Sequence, residues 1–305
     1  MDQFPSAVTI TEVGPRDGLQ NEDRLLDTAQ KVEFVERLAA AGLKRIEAAS
    51  FVSPKAIPQM RDAAELMRLL PRRDGVTYIA LVPNEVGARN AIAAQVDELA
   101  TVVSASETHN RRNVNRTVEE SLAEIEKVAG LAAAAGIPWA GYISTAFGCP
   151  YEGAVPAEQV IRLAKRLKGL GAYAIALGDT IGAANPLQVA ALVRALRDAL
   201  PDAPLRMHFH DTRGTALANV LAALEAGVDG FDGSVGGLGG CPYAPGAAGN
   251  VATEDVVYML REMGIETGVD LGSLVEAARW AEGLVGRALP GRVKDAGTAA
   301  LAKAP

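Results

Sequence analysis

Short runs rich in Val, Ile, Leu and Ala recur along the chain, each followed by a longer stretch in which apolar residues return every three or four positions. A short continuous apolar run is what a parallel strand buried on both faces needs, and the longer spacing gives a helix one buried stripe. Eight such runs predict strands over residues 8–14, 45–50, 77–83, 98–105, 138–145, 173–178, 205–211 and 228–235, with helical patterns between them. After Thr28, the residues Val32, Val35, Leu38 and Ala39 fall on one helical face. Thr117 and Glu120 have the spacing of a capping box, in which each side chain accepts a hydrogen bond from the other residue's backbone N–H. Asn185-Pro186 sets a cap residue before a proline, which loses nothing at a first helical position whose N–H has no intrahelical partner.

Eight strand–helix units in 305 residues predict an α/β fold of one domain, a closed (β/α)8 TIM barrel, with a doubly wound open sheet as the alternative. The barrel is expected over residues 1–290 and a flexible tail over 291–305. Although 49% of the residues are apolar, no uninterrupted run approaches the ~18 residues of a membrane span. The first residues, MDQFPSAVTI, have neither the basic-then-apolar pattern of a secretory signal nor the Arg-rich start of a transit peptide. Two cysteines, Cys149 and Cys241, make no disulfide framework, which points to a reducing, cytoplasmic setting. A net charge of −7 argues against a nucleic-acid partner, and means that an anionic substrate needs a local positive centre.

Barrel chemistry sits at the C-terminal ends of strands, and the unusual residues of this chain collect there. His208 and His210 are two apart on the seventh strand, so both rings face the barrel interior. Closure brings the first and eighth strands together, so that Asp17, His208, His210 and Asn250 can meet at one point. One carboxylate, two imidazoles and one amide suit a divalent cation such as Mg²⁺ or Mn²⁺ with positions left open for substrate oxygens. The simpler alternative is a pair of pocket histidines without metal. Glu47 and Asp179 flank the set, either orienting ligands, moving protons, or pairing with cations at the barrel mouth. Arg16 is placed to stabilise an oxyanion or to bridge to Glu47 or Asp179. Cys241 follows the glycine-rich segment 236–240, expected to be a mobile loop, and is either a proton donor or an inert thiol. His109, beside Arg111 and Arg112, is expected to be exposed to solvent.

These residues lie in longer motifs: Gly-Pro-Arg-Asp-Gly-Leu-Gln-Asn-Glu from Gly14, Ser-Phe-Val-Ser-Pro-Lys from Ser50 and Gly-Cys-Pro-Tyr-Glu-Gly from Gly148. His-Phe-His-Asp-Thr follows from His208, then Gly-Leu-Gly-Gly-Cys-Pro-Tyr-Ala-Pro-Gly from Gly237 and Gly-Asn-Val-Ala-Thr-Glu-Asp from Gly249. From about Val8 to about Val285 the chain resembles the 3-hydroxy-3-methylglutaryl-CoA lyase family, within the metal-dependent acyl-CoA lyases and synthases built on a barrel. The resemblance implies cleavage of 3-hydroxy-3-methylglutaryl-CoA, or a related 3-hydroxyacyl-CoA, to acetyl-CoA and acetoacetate or the matching oxo acid. It implies a divalent cation held by Asp17, His208, His210 and Asn250, with Arg16 and Gln20 contacting substrate. Cys241 is then the catalytic cysteine, Glu47 and Asp179 are functionally important acids, and the protein is a homodimer. Three positions depart from the pattern: Asp23 stands where Lys is usual, His109 where Phe is typical, and Arg213 where Tyr is often found. An acetyl-CoA-dependent aldol-type synthase of the same barrel group is one competing reading, and a silent barrel that binds CoA esters is another.

Overall fold

Strands β1 (Thr9–Glu12), β2 (Arg45–Ser50), β3 (Thr77–Leu81) and β4 (Glu98–Ser104) are followed by β5 (Trp139–Ser144), β6 (Ala174–Asp179), β7 (Leu205–Phe209) and β8 (Gly230–Gly233). Each pairs in parallel with the next, and β8 pairs back onto β1 with Ile10 opposite Phe231 and Thr11 opposite Asp232. The sheet is therefore a closed barrel, and the open alternative is excluded. No strand end moves by more than two residues from its expected place. These positions come from a computed structural model that describes residues 4–240 and 249–298.

Helices α1 (Thr28–Ala40), α2 (Ala63–Leu69), α3 (Glu85–Ala93), α4 (Glu107–Val114) and α5 (Val118–Ala135) connect the first five strands. The second half uses α6 (Ala157–Gly169), α7 (Pro186–Ala199) and α8 (Ala216–Glu225), then α9 (Thr253–Glu262), α10 (Leu271–Val285) and α11 (Val293–Ala296). Thr117 and Glu120 cap α5 reciprocally, as do Asn185 and Gln188 on α7. Along α1 the buried stripe is Phe34, Val35, Leu38 and Ala39, while Val32 stays only partly covered. Burying a side chain such as Phe34 or Leu38 stabilises the fold by roughly 1.5–3 kcal/mol, which holds α1 against the barrel.

The barrel interior is filled, not hollow. At its N-terminal floor Glu98 accepts hydrogen bonds from Arg45 Nη2 (2.6 Å), the Tyr173 hydroxyl (2.8 Å) and Arg206 Nη1 (3.4 Å), a network that offsets the cost of burying these charges. The open end is thus the C-terminal mouth, where the loops carry the candidate chemistry. Residues 291–298, expected to begin a flexible tail, instead dock: the Asp255 carboxylate accepts from the backbone N–H of Arg292 (3.0 Å) and Val293 (2.7 Å), and α11 buries Val293 and Lys294. Among the described residues, no helix is long and apolar enough to cross a membrane.

Candidate metal centre

Past β1 the chain makes a single widened helical turn, Gly14–Gly18, in which the N–H groups of Arg16, Asp17 and Gly18 all bond to the Val13 carbonyl. That turn aims Arg16 and Asp17 at the barrel axis. Gly14 is required by close approach, since a Cβ there would lie 2.6 Å from Glu12 Oε1. The Arg16 guanidinium donates from Nε (2.9 Å) and Nη2 (2.7 Å) to one oxygen of Glu47 on β2, and from Nη1 to Asp17 Oδ1 (2.6 Å). Gln20 donates to the same Asp17 oxygen (2.7 Å), and Asn250 Nδ2 donates to the other (2.8 Å).

Asn250 reaches this point because residues 249–251 clasp the end of β7. Asp211 N–H bonds to the Gly249 carbonyl (2.8 Å) and Val251 N–H to the Phe209 carbonyl (3.0 Å), with His210 and Asn250 paired between them. His208 and His210 present their rings side by side, with centroids 5.3 Å apart. Asp17, His208 and His210 offer ligand atoms that all lie within 4.8 Å of one another, and among the described residues this is the one such group. The three form a possible metal site.

Two further observations test whether a cation fits. Asn250 Oδ1 is buried without a hydrogen-bond partner. Unsatisfied buried acceptors are costly, and a cation beside them would relieve that cost. The electrostatics agree. Burial works against the charged form of Asp17, but Arg16, then the two histidines and Asn250, hold its carboxyl well below the usual carboxylate range. Burial, helped by the charge of His208, pushes His210 down to about 4, so its imidazole is neutral, as a metal ligand must be.

The remaining expected residues divide. Burial pushes Glu47 up to about 7, with Arg16 pulling the other way, and its Oε1 is left without a partner beside the site. Asp179 bonds to none of the candidate ligands; it accepts the N–H groups of Ala183 (2.8 Å) and Ala184 (3.0 Å) and so shapes the loop after β6. Arg213 closes the same loop by donating to the Ile181 (2.7 Å) and Gly182 (2.9 Å) carbonyls. Cys241 lies outside the described residues. His109 corrects the expectation: it is 2% exposed, because the cap bond from its N–H to Ser106 Oγ starts α4 with the ring turned inward, against Tyr151.

The glycine-rich segment is less free than its composition suggests. Gly236 takes φ +69°, and a Cβ there would lie 2.5 Å from Leu289, so only glycine fits. Two buried acids that carry no motif in the sequence pin its start: Glu12 accepts the Val235 N–H (2.9 Å) and Glu254 the Gly236 N–H (2.9 Å). Burial raises Glu12 to about 7 and Glu254 to about 8. A buried acid raised in this way binds a proton in the folded chain that the unfolded chain has released, so it contributes stability at low pH that is lost as pH rises towards 8. The Glu254→Gln variant, neutral throughout, should therefore lose less thermal stability than wild type between pH 5.5 and 8.5. The difference should be about 3 kcal/mol, a shift of several degrees in melting temperature. Equal losses in scanning calorimetry would show Glu254 to be charged in the fold.

The model of the HMGL-like family matches residues 7–280. The chain belongs to the HMGL-like family. A hydroxymethylglutaryl-CoA lyase of Bacillus subtilis is 52% identical to this HMGL-like chain over 289 residues, covering 95% of the chain and 97% of the relative. The cytoplasmic 3-hydroxy-3-methylglutaryl-CoA lyase of Rattus norvegicus is 45% identical over 274 residues, covering 90% and 80%. Among solved structures, an HMG-CoA lyase of Acinetobacter baumannii in complex with coenzyme A and 3-methylmalate superposes with a TM-score of 0.93 at 41% identity, covering 100% of both chains.

Proposed function

We propose that this HMGL-like protein is a carbon–carbon lyase that cleaves 3-hydroxy-3-methylglutaryl-CoA to acetyl-CoA and acetoacetate. The observation that carries the reading is the cluster of Asp17, His208 and His210 at the barrel mouth with the Arg16 guanidinium clamped beside it by Glu47. The Bacillus subtilis lyase, alike over nearly the whole of both chains, supports the reaction, and the Acinetobacter baumannii complex supports a CoA thioester as substrate. Asp17, His208, His210 and Asn250 would hold a divalent cation, Mg²⁺ or Mn²⁺, which supplies Lewis acidity to the C3 hydroxyl and fixes its orientation.

In the reaction, the C3 hydroxyl gives its proton to the Asp17 carboxylate, whose Oδ2 lies 3.8 Å from His208 Nε2. The C2–C3 bond breaks, C3 becomes the ketone of acetoacetate, and its electron pair moves to C2 and the thioester oxygen. Arg16 stabilises that enolate oxygen, because its fork is held in place before substrate arrives. Gln20 keeps Asp17 turned into the site. The Cys241 thiol then protonates C2 and releases acetyl-CoA. Glu47 sets the direction of Arg16, and Asp179 shapes the adjoining rim. A homodimer in the cytoplasm completes the proposal; the cytoplasmic rat relative supports the compartment.

Purified protein given 3-hydroxy-3-methylglutaryl-CoA should form acetyl-CoA and acetoacetate in equal amounts. EDTA should abolish turnover, and Mg²⁺ or Mn²⁺ should restore it. Turnover unchanged by EDTA would overturn the metal assignment. Product formed only from acetyl-CoA plus a 2-oxo acid would favour the synthase reading instead.

A further inference from the structure

Asp232 has no part in the scheme so far, yet it sits directly behind the metal centre. It lies on β8 opposite His208 of β7 in the strand register, and its side chain is fully buried. Its Oδ2 is 3.2 Å from His208 Nδ1, on the far side of the ring from Asp17, which Nε2 faces at 3.8 Å. The other carboxylate oxygen, Oδ1, is buried without a partner, so among the described residues this acid's side chain is held by the bond to His208 alone. Burying an acid in the interior of a barrel is costly unless it is paired or hydrogen-bonded.

We propose that Asp232 is a positioning residue that fixes the tautomer and tilt of His208, so that Nδ1 carries the proton and Nε2 turns a bare lone pair into the metal centre. An ionised carboxylate only accepts, so the bond requires hydrogen on Nδ1, and a neutral imidazole with hydrogen there has none on Nε2. The carboxylate also makes the imidazole a stronger ligand by polarising its N–H bond. His210 has no such partner, because its Nδ1 is without a hydrogen bond. The two imidazoles are therefore unequal: His208 is oriented before the cation arrives, whereas His210 is held by its place in the β7 clasp. The inference concerns the centre proposed above, and rests on the metal assignment only for its affinity readout.

The test uses the full chain in two measurements. Labelling histidine with ¹⁵N gives three rings, since the chain has three histidines, and the His208→Gln variant identifies one of them. In metal-free wild type at pH about 9, above the ordinary histidine range, His208 should show protonated Nδ1 and bare Nε2. Asp232→Asn should mix or invert the tautomers, and should raise the Mn²⁺ dissociation constant, read by electron paramagnetic resonance of free Mn²⁺, by about 10–100-fold. A conserved wild-type melting curve would show that this loss is not unfolding. Protonated Nε2 in the wild-type ring would overturn the inference, as would wild-type tautomer and affinity in Asp232→Asn. Should that variant fail to fold, the wild-type tautomer decides by itself. A wild-type ring protonated on Nδ1 in a protein that binds no Mn²⁺ would uphold Asp232 and refute the metal assignment.

Discussion

Arg16→Gln is expected to lower kcat by about 10²–10³-fold, the usual cost of losing a fixed donor to a developing oxyanion. The effect on KM should be smaller, because the charge that Arg16 meets appears as the C–C bond breaks and is not yet present in bound substrate. Two bonds from Nε and Nη2 to a single oxygen of Glu47 set the guanidinium plane, so its direction does not have to be organised during the reaction. A lysine has no such fork, and Arg16→Lys should recover little of the loss. Steady-state kinetics with 3-hydroxy-3-methylglutaryl-CoA checks this. A variant with raised KM and wild-type kcat would make Arg16 a binding residue with no role in the chemical step.

Cys241→Ala should also be severe, with kcat lower by about 10²–10⁴-fold, the range for removal of a proton donor acting in the transition state. Mn²⁺ affinity should be unchanged, because all four proposed ligands remain. That pairing separates the variant from one that damages the centre. Near-normal turnover would leave the thiol without a role, and a parallel loss of Mn²⁺ binding would point to misfolding of the glycine-rich segment. The described start of that segment is anchored to Glu12 and Glu254, so the chain leading to Cys241 departs from a fixed point beside Asn250.

Much of this arrangement was legible in the sequence. Continuous apolar runs marked the eight strands, and the period of two along a strand put His208 and His210 on one face. Closure then brought Asp17 to them across the β1–β8 seam. The residues missed share a reason: their partners are distant in sequence. Asp232 reads as one polar residue in a short glycine-flanked strand, and its meaning appears only when register sets it beside His208. Glu12 ends a strand like any exposed acid, yet its acceptors' partners come from residues 235 and 253. The available signal was the charge itself, since an acid within a run buried on both faces must be paired or protonated. The polar neighbours Arg111 and Arg112 predict exposure for His109, while its ring packs against Tyr151 from another loop. Residues 292 and 293 carry no local signal of docking, because the acid that caps them, Asp255, lies 38 residues before Val293.

The proposed reaction depends on a single cation held between residues near the chain's two ends. Crystals soaked in Mn²⁺ and measured at a wavelength giving strong anomalous signal from manganese test it directly. One peak is expected at the C-terminal mouth, with oxygen from Asp17 and Asn250 and nitrogen from His208 and His210 at about 2.0–2.4 Å. No peak there, or a peak bound by other side chains, would contradict it.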